Sequence, residues 1–250
     1  MVLFGSIGIA KKCLQDILNK ENDIVIVGVC CQKDIPGWRN EDTVYRYCIE
    51  NNIKIIEDMN EILQMKPDLG FSIRYNKIIP EKIIEVFRIG VFNTHGGILP
   101  AYRGTYSNMN CLINHEKEYG VTLHKIDKGI DTGDIVDILK IKINDDDTGY
   151  DLYRKGEELC YKILEKNIKK LVKNEFELKK QDDLIKKGYK TNTYSIKGTL
   201  KQKEVKIEEL NNISVYDKIR AFDSPYHEPA YIIINGKKVY LTTKSWKEVK

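Results

Sequence analysis

The chain has 250 residues, 42% of them hydrophobic and 31% charged, with a net charge of +4. That length suits one large domain with a small appendage, and so mild and interspersed a charge leaves no electrostatic footprint for a nucleic-acid partner. No apolar run approaches the roughly 20 residues that cross a bilayer, and six cysteines without C-x-x-C spacing (Cys13, Cys30, Cys31, Cys48, Cys111, Cys160) read as small core residues of a reducing compartment rather than as a disulfide scaffold.

Met1-Val2-Leu3-Phe4-Gly5 reads as a strand from the first residue, with no basic leader or cleavage site, so a cytoplasmic location is expected. Short apolar strands then alternate with amphipathic helices. Strands are expected at Val2 to Phe4, Ile24 to Val29, Ile53 to Ile56 and Leu69 to Ile73. Helices are expected at about Ile9 to Lys20, Thr43 to Asn51 and Asn60 to Met65, with another from Pro80 to about Phe87. Such alternation predicts an α/β fold, a mostly parallel sheet with helices on both faces. Gly5-Ser6-Ile7-Gly8 reads as a tight strand-to-helix turn.

The most informative stretch follows. Ile89, Val91 and Phe92 read as a buried strand ending at Asn93-Thr94-His95, and side chains alternate along a strand, so Asn93 and His95 point the same way at its carboxyl end. Ligands gather at that end of open parallel sheets. An amide donor beside an imidazole suits attack on a carbonyl, because a fixed N–H stabilises the oxyanion and a histidine exchanges protons near neutral pH. Asp131, in the turn after the strand Val121 to Ile126, is placed to orient the imidazole of His95, the only one of four histidines in such a setting. The plain alternative is a strand cap and an Asx-turn before Gly133. No nucleophilic Ser or Cys accompanies the group, which points to direct transfer between two bound substrates.

Ile135 to Ile143 reads as an antiparallel neighbour of the preceding strand, and a long helix is expected from about Thr148 to Val172. Lys179-Lys180-Gln181-Asp182-Asp183 reads as a linker, giving a division into residues 1–178 and 179–250. In the tail, Asn235-Gly236 between two β-rich runs predicts a two-residue hairpin. That hairpin either covers its own domain or pairs with a second subunit.

Asn93, His95, Leu99-Pro100, Arg103-Gly104, Gly120-Val121-Thr122 and Asp131-Thr132-Gly133-Asp134, in this order and spacing, resemble the formyltransferases that use N10-formyltetrahydrofolate. The resemblance covers most of residues 1 to about 170. It implies a Rossmann-like formyltransferase domain, catalytic roles for Asn93, His95 and Asp131, and no metal. It also implies a folate strip at Asn76, Lys77, Ile78 and Ile79, with Asp127 and Asp131 on the cofactor side. Lys77 alternatively faces an acceptor pyrophosphate, or is a solvated loop lysine. Gly97 stands where many members carry a serine, and Thr105-Tyr106-Ser107 replaces an aromatic and apolar segment.

Among the family's branches, the resemblance favours formylation of a nucleotide-linked amino sugar. It places Gly97, Arg103 and Tyr106 beside the acceptor, and it implies a homodimer, a dTDP-4-amino-4,6-dideoxyglucose acceptor and a role in O-antigen (lipopolysaccharide) synthesis. Ile219 to Ala230 looks like the nucleotide contact, with Arg220 in it and Phe222 or Tyr226 available for stacking. Its alternative is the core of a small domain with a Pro-rich turn. A glycinamide ribonucleotide acceptor ranks second. A tRNA acceptor is disfavoured by the balanced charge of the loop Lys33 to Asp42, and a folate-binding scaffold by the presence of all three catalytic residues.

Overall fold

The computed structural model describes residues 1–21, 23–35 and 43–243, so most of the loop Lys33 to Asp42 lies outside the described residues. Strand β1 (Val2–Phe4), helix α1 (Gly8–Lys20), strand β2 (Gly28–Cys30), helices α2 (Val44–Glu50) and α3 (Ile62–Met65), strand β3 (Leu69–Ile73), helix α4 (Glu81–Ile84) and strand β4 (Gly90–His95) follow in order. The four strands run parallel. After strand β5 (Arg103–Gly104) and helix α5 (Ser107–Ile113), strands β6 (Glu118–Lys125) and β7 (Ile135–Lys142) add antiparallel to β4. The sheet order is β2-β1-β3-β4-β6-β7.

Period-two alternation decides the core. Leu3, Phe71, Phe92, Val121 and Leu123 face a cluster beneath α1 and helix α6 (Gly149–Val172). Val2, Phe4 and Val91 face the opposite cluster with Ile62, Ile79, Ile83 and Phe87. The chain steps outward from β1 to β2 and returns across β1 to β3, so the connections leaving β1 and β3 diverge and open a crevice at their carboxyl ends.

Several elements are shorter than the sequence predicts. Ile24 to Val27 lie before β2, with Val25 and Val27 exposed, and Ile53 to Ile56 contribute only one bridge, Ile55 to Val29. The helix expected from Pro80 to Phe87 is the single turn of α4, with Pro80 as its cap. The expected linker is helix α7 (Gln181–Lys186), whose Gln181 is buried. Lys179 bridges to Ile135, and strand β8 (Thr193–Tyr194) pairs with β5, tying the later chain to the earlier sheet.

Beyond helix α8 (Ile196–Leu200), helix α9 (Ser214–Phe222) packs with α5 and α6 around Met109, Leu112, Leu152, Val215 and Phe222. The hairpin forms as its Asn-Gly chemistry predicts, from strands β9 (Ala230–Ile234) and β10 (Lys237–Leu241), with Asn235 at φ 48° and Gly236 at φ 74°.

The start of α6 fixes one wall of the crevice. Thr148 and Asp151 form a reciprocal capping box. At Gly149 an added Cβ would fall 2.0 Å from the Ala221 carbonyl oxygen, so α6 and α9 meet backbone to backbone. Gly149→Ala should therefore cost about 2–3 kcal/mol by forcing two helices apart, against about 1 kcal/mol for Thr148→Ala, which removes only a cap. Urea unfolding of both variants checks the ranking, and an unaltered midpoint in Gly149→Ala would refute the close packing.

Candidate active site

A cleft of about 400 Å³ opens over the carboxyl ends of β1, β3 and β4, within the range of small-molecule sites. Its floor carries Asn93, His95 and Asp131. Its walls include Ile7, Arg74 and Asn76, then Tyr106, Tyr150, Tyr153 and His227.

Strand pairing builds the floor. Asn93 lies opposite His124 in the antiparallel β4–β6 register, and His95 opposite Thr122, so all four side chains share one face. Thr122 fixes the loop that leaves β4, donating to the Gly97 carbonyl at 2.6 Å and accepting from Leu99 N–H at 3.1 Å. Asp131, in the left-handed region at φ 52°, reaches back over this face. Its Oδ2 accepts from Gly104 N–H at 2.9 Å and lies 3.3 Å from His95 Nδ1, while Oδ1 lies 3.5 Å from His124 Nε2.

The hydrogen bonds assign tautomers. His95 Nε2–H donates to the Tyr102 carbonyl at 2.5 Å, which leaves Nδ1 on the Asp131 side. His124 Nδ1–H donates to the Lys125 carbonyl at 3.0 Å, so its bare Nε2 accepts from the Asn93 amide at 3.2 Å. One Asn93 N–H is thereby held, and the second is free for the cleft. Burial pushes His95 below its usual 6.5, outweighing the pull of Asp131, and nearby His124 and Arg74 push the same way. Burial also works against the Asp131 carboxylate, but the positive charge that His95 and His124 carry when protonated, together with the Gly104 N–H, brings it down to about 2.

The remaining sequence-derived residues divide. Asn76 and Tyr106 line the cleft. Lys77, Ile78 and Asp127 are exposed outside its lining; Asp127 accepts from Gly129 N–H and the Thr132 hydroxyl, an Asx-type turn. Ile79 is buried in the core beneath α4.

Four expected acceptor contacts are corrected. Gly97 is buried, and a Cβ there would sit 2.8 Å from His95 Nε2 and 2.7 Å from the Tyr102 carbonyl, so its small size seats the imidazole. Arg103 is turned away and donates to Gln181 Oε1 through Nε and Nη2. Phe222 is 0% exposed, in the core between α5 and α9, and has no face left for stacking. Arg220 is buried on the carbonyls of Asn144 and Asp147 and on Asp217. The core alternative holds for these last two residues. Tyr226 is outside the lining but sits 5.6 Å from the Tyr150 ring.

Sequence reasoning missed His124, contrary to the expectation that His95 alone has a catalytic setting. It also missed Arg74, Tyr150, Tyr153 and Gln181. Gln181 Nε2 donates to the carbonyls of Asp131 (2.8 Å) and Gly133 (2.7 Å), while its Oε1 holds Arg103, so one amide clamps the two motif loops together.

Residues 1–168 match the family described as formyl transferase. The methionyl-tRNA formyltransferase of Kosmotoga olearia is 31% identical over 235 residues, covering 89% of this chain and 73% of that protein. The bifunctional polymyxin resistance protein ArnA of Wigglesworthia glossinidia brevipalpis is 37% identical over 201 residues, 79% of this chain but only 28% of that protein. Among solved structures, an N-formyltransferase from Helicobacter canadensis, in complex with folinic acid and dTDP-3-aminofucose, superimposes with a TM-score of 0.79 at 28% identity, over 95% of this chain and 85% of its own.

The depressed Asp131 pKa is also a stability statement. Its folded value, about 2, lies below the ordinary 3.8, so its contribution is complete above about pH 4 and is lost as pH falls toward 2. The shift corresponds to about 2 kcal/mol. Between pH 5 and pH 2 the wild type should lose about that much more stability than Asp131→Asn; equal losses in urea titrations would show that Asp131 is not held ionised.

Proposed function

The chain belongs to the formyl transferase family, and we propose that it moves the formyl group of N10-formyltetrahydrofolate to the amine of a nucleotide-linked amino sugar. The observation that carries the reading is the convergence of Asn93, His95 and Asp131 on the floor of a tyrosine-walled cleft. The Helicobacter canadensis structure, solved with a folate and a dTDP-amino sugar, supports both substrate classes and covers the C-terminal elements as well as the sheet. The aromatic wall of Tyr106, Tyr150, Tyr153 and His227 suits a sugar nucleotide. dTDP-4-amino-4,6-dideoxyglucose is the proposed acceptor, with a cytoplasmic role in O-antigen synthesis.

In this mechanism the neutral amine attacks the formyl carbon, an N–C bond forms, and the carbonyl electrons move to oxygen. The free Asn93 N–H is the donor placed for that oxyanion, and one such donor contributes about 3 kcal/mol. His95 is kept neutral by burial, so it takes the amine proton at Nδ1, where Asp131 Oδ2 at 3.3 Å stabilises the imidazolium. The oxyanion then collapses, the bond to the folate N10 breaks, and the proton passes from His95 to that nitrogen. Asn76 holds the folate edge. Residues 1–178 supply this chemistry, and the chain from residue 179 to 243 braces it and dimerises through the hairpin, whose Ile233, Ile234, Val239 and Tyr240 are exposed.

The 31% identity to a methionyl-tRNA formyltransferase favours initiator tRNA as a second acceptor to test. Purified protein with the formyl donor should add the mass of one formyl group to dTDP-4-amino-4,6-dideoxyglucose and none to methionyl-tRNA or glycinamide ribonucleotide; addition to either of the latter alone would overturn the sugar reading. Asn93→Ala and His95→Ala should each lower kcat at least about a hundredfold. NMR titration of the imidazoles in the free protein should place His95 below 6.5, because burial disfavours its cation; titration above 6.5 would mark His95 as a charged donor.

A further inference from the structure

Arg74 follows β3 in the left-handed region at φ 47° and turns its guanidinium into the fold. Its Nε and Nη2 are sealed from solvent without a hydrogen-bond partner. No carboxylate lies in salt-bridge range of it among the described residues, and the nearby Glu157 pairs instead with Arg154 at 2.9 Å. Burial works against its charge, but surrounding groups, Cys160, Tyr119, Tyr153 and Glu157, hold its pKa above the ordinary value. An uncompensated buried cation costs several kcal/mol, so its retention needs an explanation.

The fold builds a seat for it. The guanidinium carbon lies 4.6 Å from the centre of the Tyr153 ring. On its other sides are two glycines: a Cβ at Gly96 would fall 3.1 Å from Nη2, and one at Gly156 only 2.8 Å. The Tyr119 hydroxyl closes the seat while donating to the Gly96 carbonyl at 3.4 Å. Arg74 lines the cleft, and with Nε and Nη2 sealed it is the Nη1 end that opens there.

Its neighbours identify the half of the cleft it serves. Tyr150, Tyr153 and Gly156 belong to α6, on the face of the sheet opposite Ile79 and Ile83. At the same lip Ile7 leads into α1, a 13-residue helix whose first N–H groups have no side-chain cap. A helix N-terminus and an unpaired guanidinium at one end of a cleft both favour a phosphoryl group.

We infer that Arg74 is the phosphoryl anchor of the acceptor site, taking an oxygen of the nucleoside diphosphate at Nη1 and fixing the sugar end over Asn93 and His95. The inference rests on the nucleotide-sugar reading and names the residue that holds the acceptor's charge. It replaces Lys77, which lies exposed outside the cleft lining, in that role.

Calorimetric binding of dTDP, UDP, thymidine and folinic acid to the full chain tests it. Arg74→Met should weaken the preferred diphosphate roughly 10- to 100-fold, the effect of losing one charge-assisted contact. Thymidine and folinic acid should bind as before. Gly156→Ala, which displaces the guanidinium without touching a ligand, should reproduce the loss; it serves as the test if Arg74→Met does not fold. Unchanged diphosphate binding in the folded variants overturns the inference, and a loss confined to folinic acid assigns Arg74 to a folate carboxylate instead. A wild type that binds neither dTDP nor UDP overturns the acceptor reading itself, and the inference with it.

Discussion

The site depends on where one carboxylate is held. Asp131 touches three things at once: His95 Nδ1, His124 Nε2 and the Gly104 N–H. Each comes from a different strand, β4, β6 and β5, so the carboxylate sets their spacing. Buried and low in pKa, it stays ionised wherever the protein is folded near neutrality. The opposing demands on His95 follow. Burial resists its protonation, Asp131 rewards it, and the imidazole is poised to take a proton only when a substrate supplies one.

Asp131 has to be held too. It sits at φ 52°, where a non-glycine residue costs energy. The hold comes from outside the parallel sheet: Gln181 accepts two N–H donors of Arg103 on one side of its amide and donates to the Asp131 and Gly133 carbonyls on the other. Gly133 has no space for a side chain, since a Cβ would lie 1.8 Å from the Lys125 carbonyl oxygen. Reaching Asp131 therefore required a chain that returns after α6 to place one buried amide between two loops. The bridge from Lys179 to Ile135 fixes that return two residues before Gln181.

This explains what the sequence disclosed. Short, nearly continuous apolar runs exposed the central strands, β3 within its observed limits and β4 up to Asn93 and His95, because those strands are buried on both faces. Asn235-Gly236 exposed the hairpin, because its turn chemistry is local. His124 was illegible because its partnership with Asn93 depends on the cross-strand register of β4 and β6, which is set by long-range pairing. Gln181 was hidden inside a charged run whose composition reads as solvated. Phe222 and Arg220 misled because an aromatic and a cation in a Pro-rich stretch look the same whether they face a ligand or a core. Only the packing of α9 on α5 and α6 separates the two.

The cleft's two fixed charges then bear on which form of a substrate enters. Of the groups lining it, Asp131 and Arg74 carry them, and they are not equivalent. Asp131 turns its carboxylate to the Gly104 N–H and to the imidazoles of His95 and His124, whose cations it favours. Arg74 has no carboxylate in salt-bridge range among the described residues, so the field a ligand meets is positive at that end. A positive field favours the anionic end of a ligand, and a diphosphate seated on Arg74 would pair the guanidinium and cancel that field. The proton of an attacking amine would then fall to the neutral His95, whose cation Asp131 stabilises, so the two charges divide the work: Arg74 draws the anion in, and Asp131 supports the proton transfer.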